Sequence, residues 1–100
     1  MNLFSNTTIK STLITRLVSS EQDEYGAPFS IDTYGKESEL PIPPSIGMEI
    51  FDLAFEDPVK IIRIVLSNNY ILTYLDDIVI NESDFKDVVK YITEEGWYER

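Results

Sequence analysis

Residues 59–80, VKIIRIVLSNNYILTYLDDIVI, constrain the fold more than any other stretch, because no other segment matches their apolar density. Asn68-Asn69 divides the run, and two asparagines tolerate positive φ and suit a two-residue hairpin loop. That loop sets a register. Leu66 faces Ile71, Ile64 faces Thr73 and Ile62 faces Leu75 on one side, while Val65 faces Leu72 and Arg63 faces Tyr74 on the other. Both faces are largely apolar, so each requires cover from elsewhere in the chain.

The flanks of this hairpin extend it in both directions. Residues 46–55 read as a preceding strand, with Glu49, Phe51, Leu53 and Phe55 on one face and Met48, Ile50, Asp52 and Ala54 on the other. Glu56-Asp57-Pro58 turns that strand into the hairpin. Asp76-Asp77 interrupts the second hairpin strand, since adjacent carboxylates point to opposite faces and one would enter the core; a bulge or bend is the cheaper solution. Asn81 or Ser83 then caps a helix over residues 84–95, with Glu82, Asp84 and Asp87 complementing its N-terminal dipole. Its buried stripe is Phe85, Val88, Val89 and Ile92, and Gly96 stands where a left-handed residue ends it.

The first segment supports two readings. Asn6 suits the cap of a helix over residues 7–18, whose stripe is Ile9, Leu13, Leu17, Ile14 and Val18. The β-branched Thr7, Thr8, Ile9, Thr12, Ile14, Thr15 and Val18 favour a strand, pairing residues 13–20 with residues 29–34. The helix is the preferred reading, because strand alternation fails at Leu17-Val18. Residues 21–28, EQDEYGAP, form an exposed acidic loop, followed by a short half-buried strand that ends at Gly35. Pro41, Pro43 and Pro44 then mark residues 36–45 as an extended crossing loop, pinned to the core by Leu40 and Ile42.

These elements predict one α+β domain over residues 1–100: an antiparallel β-meander of three to four strands packed against a C-terminal helix, with an N-terminal helix beside it. At this length about 65% of the unfolded surface is buried on folding, enough for an unaided core. There is no cysteine, and residues 1–18 never run apolar long enough for a signal sequence or membrane span, so the expectation is a soluble cytoplasmic protein.

Histidine and cysteine are both absent, which removes the usual nucleophile–base pairs, zinc sites and haem ligation. The four glycines, Gly26, Gly35, Gly47 and Gly96, are too scattered for a phosphate loop. Asp52, Glu56, Asp57, Asp76 and Asp77 supply carboxylates for Mg²⁺, but acids at strand ends are ordinary and nothing else marks phosphoryl transfer. The expectation is a chain that is not an enzyme and needs no cofactor.

Charge is the main compositional signal. The net is −10; residues 1–20 hold only Lys10 and Arg16, so the other 80 carry −12. Such a field disfavours nucleic acid and anionic membranes and steers a basic protein partner. Its acids alternate with aromatics at Asp23, Glu24 and Tyr25, at Tyr74, Asp76 and Asp77, and beside Trp97 and Tyr98. Those eight residues are the candidate partner-binding set, tyrosine and tryptophan giving contact area at low entropic cost. This profile resembles that of toxin-immunity proteins and phage-encoded inhibitors, a likeness of composition that no motif carries. It implies a protein that neutralises a basic toxin or defence protein, occluding a nucleic-acid site. The alternative is a structural homo-oligomer that pairs through the edge of residues 46–55, where Glu49 and Asp52 would lie near their symmetry mates.

Overall fold

The computed structural model describes residues 8–100. Its longest strand, β1 (Ile9–Ser19), is the middle of the sheet, a place the hairpin was expected to hold. Along one side β1 pairs antiparallel with β2 (Ile31–Leu40), from Ile9↔Leu40 to Val18↔Ile31. Five further strands, β3 (Glu49–Ile50), β4 (Val59–Leu66), β5 (Ile71–Leu75), β6 (Ile78–Ile80) and β7 (Tyr98–Glu99), complete the sheet around a single helix, α1 (Glu82–Glu94). On its other side β1 runs parallel to β5 over Thr12–Ile14 and parallel to β6 over Leu17–Ser19. The strand order is β3-β4-β5-β1-β2-β7, with β6 beside β1 past the end of β5. The α+β class is as expected. The sheet is mixed, however, and not an antiparallel meander.

The largest correction is the N-terminal helix, which is β1 instead; the cap assigned to Asn6 lies outside the described residues. A strand with neighbours on both edges and cover on both faces need not alternate. Leu13 and Leu17 enter the main core, yet Ile14, on the opposite face, is buried as well. The small hydroxyls decide between the two readings. Ser11 Oγ donates to the Ile71 carbonyl and lies 2.7 Å from Thr73 Oγ1. Thr15 Oγ1 donates to the Asp76 carbonyl at 2.8 Å. Buried hydroxyls need partners, and the parallel neighbour supplies them across strands.

β2 continues through Gly35 to Leu40, so residues 36–40 are strand and not loop. Gly35 permits the C-terminus to close over it, since a Cβ would stand 2.8 Å from Arg100 Cδ and 3.3 Å from Tyr98 Cε2. Leu40 is buried as expected, whereas Ile42 is exposed. The strand expected at residues 46–55 shrinks to Glu49–Ile50. Two turns cut it short: the Met48 N–H bonds the Ser45 carbonyl around Gly47 at φ +94°, and Asp52 Oδ1 accepts the Ala54 N–H while its carbonyl accepts the Phe55 N–H, each competing with the ladder.

The hairpin keeps four of its expected pairs, from Leu66↔Ile71 to Arg63↔Tyr74. A bulge at Ile62 then brings Ile61, not Ile62, opposite Leu75. The loop closes with Ser67 N–H on the Tyr70 carbonyl, and neither asparagine takes a positive φ. The chain breaks at Asp76-Asp77 between β5 and β6, as the paired carboxylates required.

Helix α1 begins after Asn81, whose side chain accepts from Ser20 Oγ and makes no cap bond. It ends in a Schellman arrangement: Gly96 at φ +97° sends its N–H to the Thr93 carbonyl, and Trp97 sends its own to the Ile92 carbonyl. Phe85 and Ile92 are buried and join Leu13, Leu17, Tyr34, Ile61, Leu75 and Trp97 in the core, with Val88 and Val89 half-buried against it. Among the described residues no helix is long and apolar enough to cross a membrane.

Candidate functional site

A groove of about 870 Å³ runs between α1, the turn at residues 54–58, the start of β4 and the β5–β6 break. Leu17, Phe55, Val59, Ile78, Ile80 and Val88 give it an apolar floor. Asp76 and Asp77 stand on one wall, Asp84 and Asp87 on the helix wall, and Glu49, Glu56 and Asp57 at the turn. Lys60 is the one basic residue that lines it. Spacing of three residues puts Asp84 and Asp87 on one helix face, and Val88 and Tyr91, four residues after each, share it. Tyr91 closes one end by donating its hydroxyl to the Leu53 carbonyl.

The two central acids differ. Arg16 grips Asp77 with both nitrogens, Nε to Oδ1 at 2.9 Å and a terminal nitrogen to Oδ2 at 2.6 Å. That hydrogen-bonded ion pair holds the Asp77 carboxyl below the usual carboxylate range and raises the Arg16 guanidinium. Asp76 is exposed; its Oδ1 accepts the Asp77 N–H and its own N–H goes to the Lys60 carbonyl. The break in the strand therefore presents one neutralised and one free carboxylate to the groove.

The other candidate residues do not converge there. Asp23, Glu24 and Tyr25 lie in the loop beyond the end of β1, whereas Asp76 and Asp77 lie beside Thr15 and Arg16. Asp23 Oδ1 accepts the N–H groups of Tyr25 and Ala27, which braces the loop and leaves Tyr25 86% exposed at its tip. Tyr74 and Tyr98 flank Ile14 on the sheet face away from α1, in a row set by Ile14↔Tyr74, Ile14↔Gly35 and Gly35↔Tyr98. Arg63 lies over the Tyr74 ring at 5.2 Å, and Tyr98 donates to Glu37 Oε1 at 2.7 Å, a bond that raises the Tyr98 phenol above its ordinary value.

Trp97 is only 2% exposed. It packs against Phe55 with ring centroids 5.1 Å apart, its Nε1 donates to Asp52 Oδ1 at 3.4 Å, and Lys36 Nζ sits 5.9 Å over its ring. Lys36 also bonds Asp52 at 2.8 Å. Burial works to raise the Asp52 carboxyl, but the bonds from Lys36, the Ala54 N–H and Trp97 outweigh it and leave the group below the usual range. These four residues hold the C-terminus to the core.

Asp84, Asp87 and Glu49 had no site role in the sequence reading, and Glu56 and Asp57 had one only as carboxylates for Mg²⁺. The acidic first turn of α1 satisfies the helix dipole, so it gave no separate signal for a groove. Among the described residues no three carboxylates come together as a metal-ligand group. No family model, no curated protein and no solved structure matches this chain.

Proposed function

We propose that the chain is a non-catalytic domain that binds and neutralises a basic protein partner, in the manner of immunity proteins or phage-encoded anti-defence inhibitors. The observation that supports this most is the groove itself, an apolar floor under seven carboxylates and one lysine. The stems of lysine and arginine bury against apolar surface while their charged heads reach carboxylates, so one segment of a cationic protein satisfies both. Long-range attraction comes from the −12 carried by residues 21–100. Tyr25 offers an aromatic anchor clear of the sheet, while Trp97 is committed to the core.

The experiment is capture from the native host's lysate followed by association kinetics of the purified pair at rising ionic strength. The expected result is one dominant basic partner whose association rate falls steeply with salt. Asp76→Asn with Asp77→Asn, and separately Asp84→Asn with Asp87→Asn, should each slow association without unfolding the domain. A partner indifferent to salt and to both double variants overturns the proposal.

A further inference from the structure

We infer that the outer edge of β4 is a self-recognition surface, pairing antiparallel with the same edge of a second copy. β3 covers only the root of β4, at Val59 and Lys60, and Ile61 spends its own N–H and C=O on Met48 and Gly47. Past Ile61, among the described residues, no strand lies outside β4. The hairpin closes at Ser67 and Tyr70, so alternation points the backbone of Val65 and Arg63 at β5 and that of Leu66 and Ile64 away from it. The bulge splits Ile62: its carbonyl faces outward, but its N–H, opposed across the trans peptide to the Ile61 carbonyl that Gly47 holds on the outer side, faces β5. Ile64 and Leu66 thus present an N–H and a C=O each to the open edge, and Ile62 adds a C=O.

This edge is self-complementary. With a two-fold axis at Ile64, Ile64 meets its own mate and Ile62 meets Leu66 in both directions. All the outward groups except the Leu66 carbonyl then pair, and Arg63 lies opposite Val65 rather than opposite another Arg63. Ile62 and Leu66, 48% and 74% exposed, gain an apolar neighbour. The open edge of β2 makes a contrast: past Gly35 it carries Lys36, Glu37 and Glu39 and stops at Pro41, the charges and proline that guard an edge. Residues 59–75 hold Lys60 and Arg63 and no acid, in a chain of net charge −10. Two copies therefore repel least across this edge, and salt strengthens the pairing by screening the remaining repulsion.

Sedimentation of the full chain over a concentration series at low and high salt tests this. The expected result is a monomer–dimer equilibrium that tightens with salt. Ile64→Pro removes an N–H that faces away from β5, so it should leave the hairpin folded and the protein monomeric. Leu66→Lys, at an exposed position that does not endanger the fold, should weaken the dimer by about tenfold or more. A strict monomer at millimolar concentration overturns the inference, as does a dimer that loosens with salt or ignores Leu66→Lys.

Discussion

The groove beside α1 and the outer edge of β4 belong to one sheet and carry opposite chemistry. Seven carboxylates line the groove, whereas residues 59–75, which build the edge, contain no acid. The groove is assembled from side chains of a helix, one turn, the start of β4 and a strand break, while the edge offers backbone groups in a row. Four of the groove acids, Glu56, Asp57, Asp76 and Asp77, stand where the backbone leaves regular structure, and Asp84 and Asp87 stand on the first two turns of α1. The hairpin strands pair with each other, and β5 pairs in turn with β1. On the two proposals above, one surface takes a cationic stranger and the other a copy of itself, and salt acts on the two with opposite sign.

Both surfaces hang from Ile61, fully buried at the point where the covered root of β4 becomes the open edge. Ile61→Ala should give the largest effect, a loss of about 2–5 kcal/mol in urea denaturation. Leu66→Ala, at the tip of the same strand, should stay within about 0.5 kcal/mol. Equal losses at the two positions would erase the distinction between a rooted base and a free edge.

A second comparison separates acids that hold the fold from acids that face a partner. Asp52 holds the fold, and Asp52→Asn should cost about 1–3 kcal/mol by weakening its bonds to Lys36 and Trp97. Its folded carboxyl lies below the ordinary value, so its stabilisation is present above about pH 4 and is lost as pH falls through the folded value. Acid titration of stability should therefore show a component below about pH 4 that is missing in Asp52→Asn. Asp77→Asn should cost less stability than Asp52→Asn, about 0.2–1 kcal/mol for a half-exposed pair with Arg16, while slowing partner association. A reversed order, Asp77 above Asp52, would place the structural acid at the groove.

Local chemistry was sufficient for several elements in the sequence. Helix α1, its Gly96 end, the loop at Asn68-Asn69, four hairpin pairs and the break at Asp76-Asp77 each rest on contacts within a few residues, where periodicity and turn preferences act directly. Tertiary structure decided the rest. In residues 9–19 local pattern favoured a helical stripe over a β-branched strand, and only partners on both edges, about 20 and 60 residues away, made the segment β1. Trp97 turned inward because Phe55 and Asp52 of one turn and Lys36 of β2 meet around its ring. The groove likewise exists only once α1 folds back beside residues 54–60 and 76–80, since the contacts that place the helix there are distant in sequence and leave no periodic trace in it.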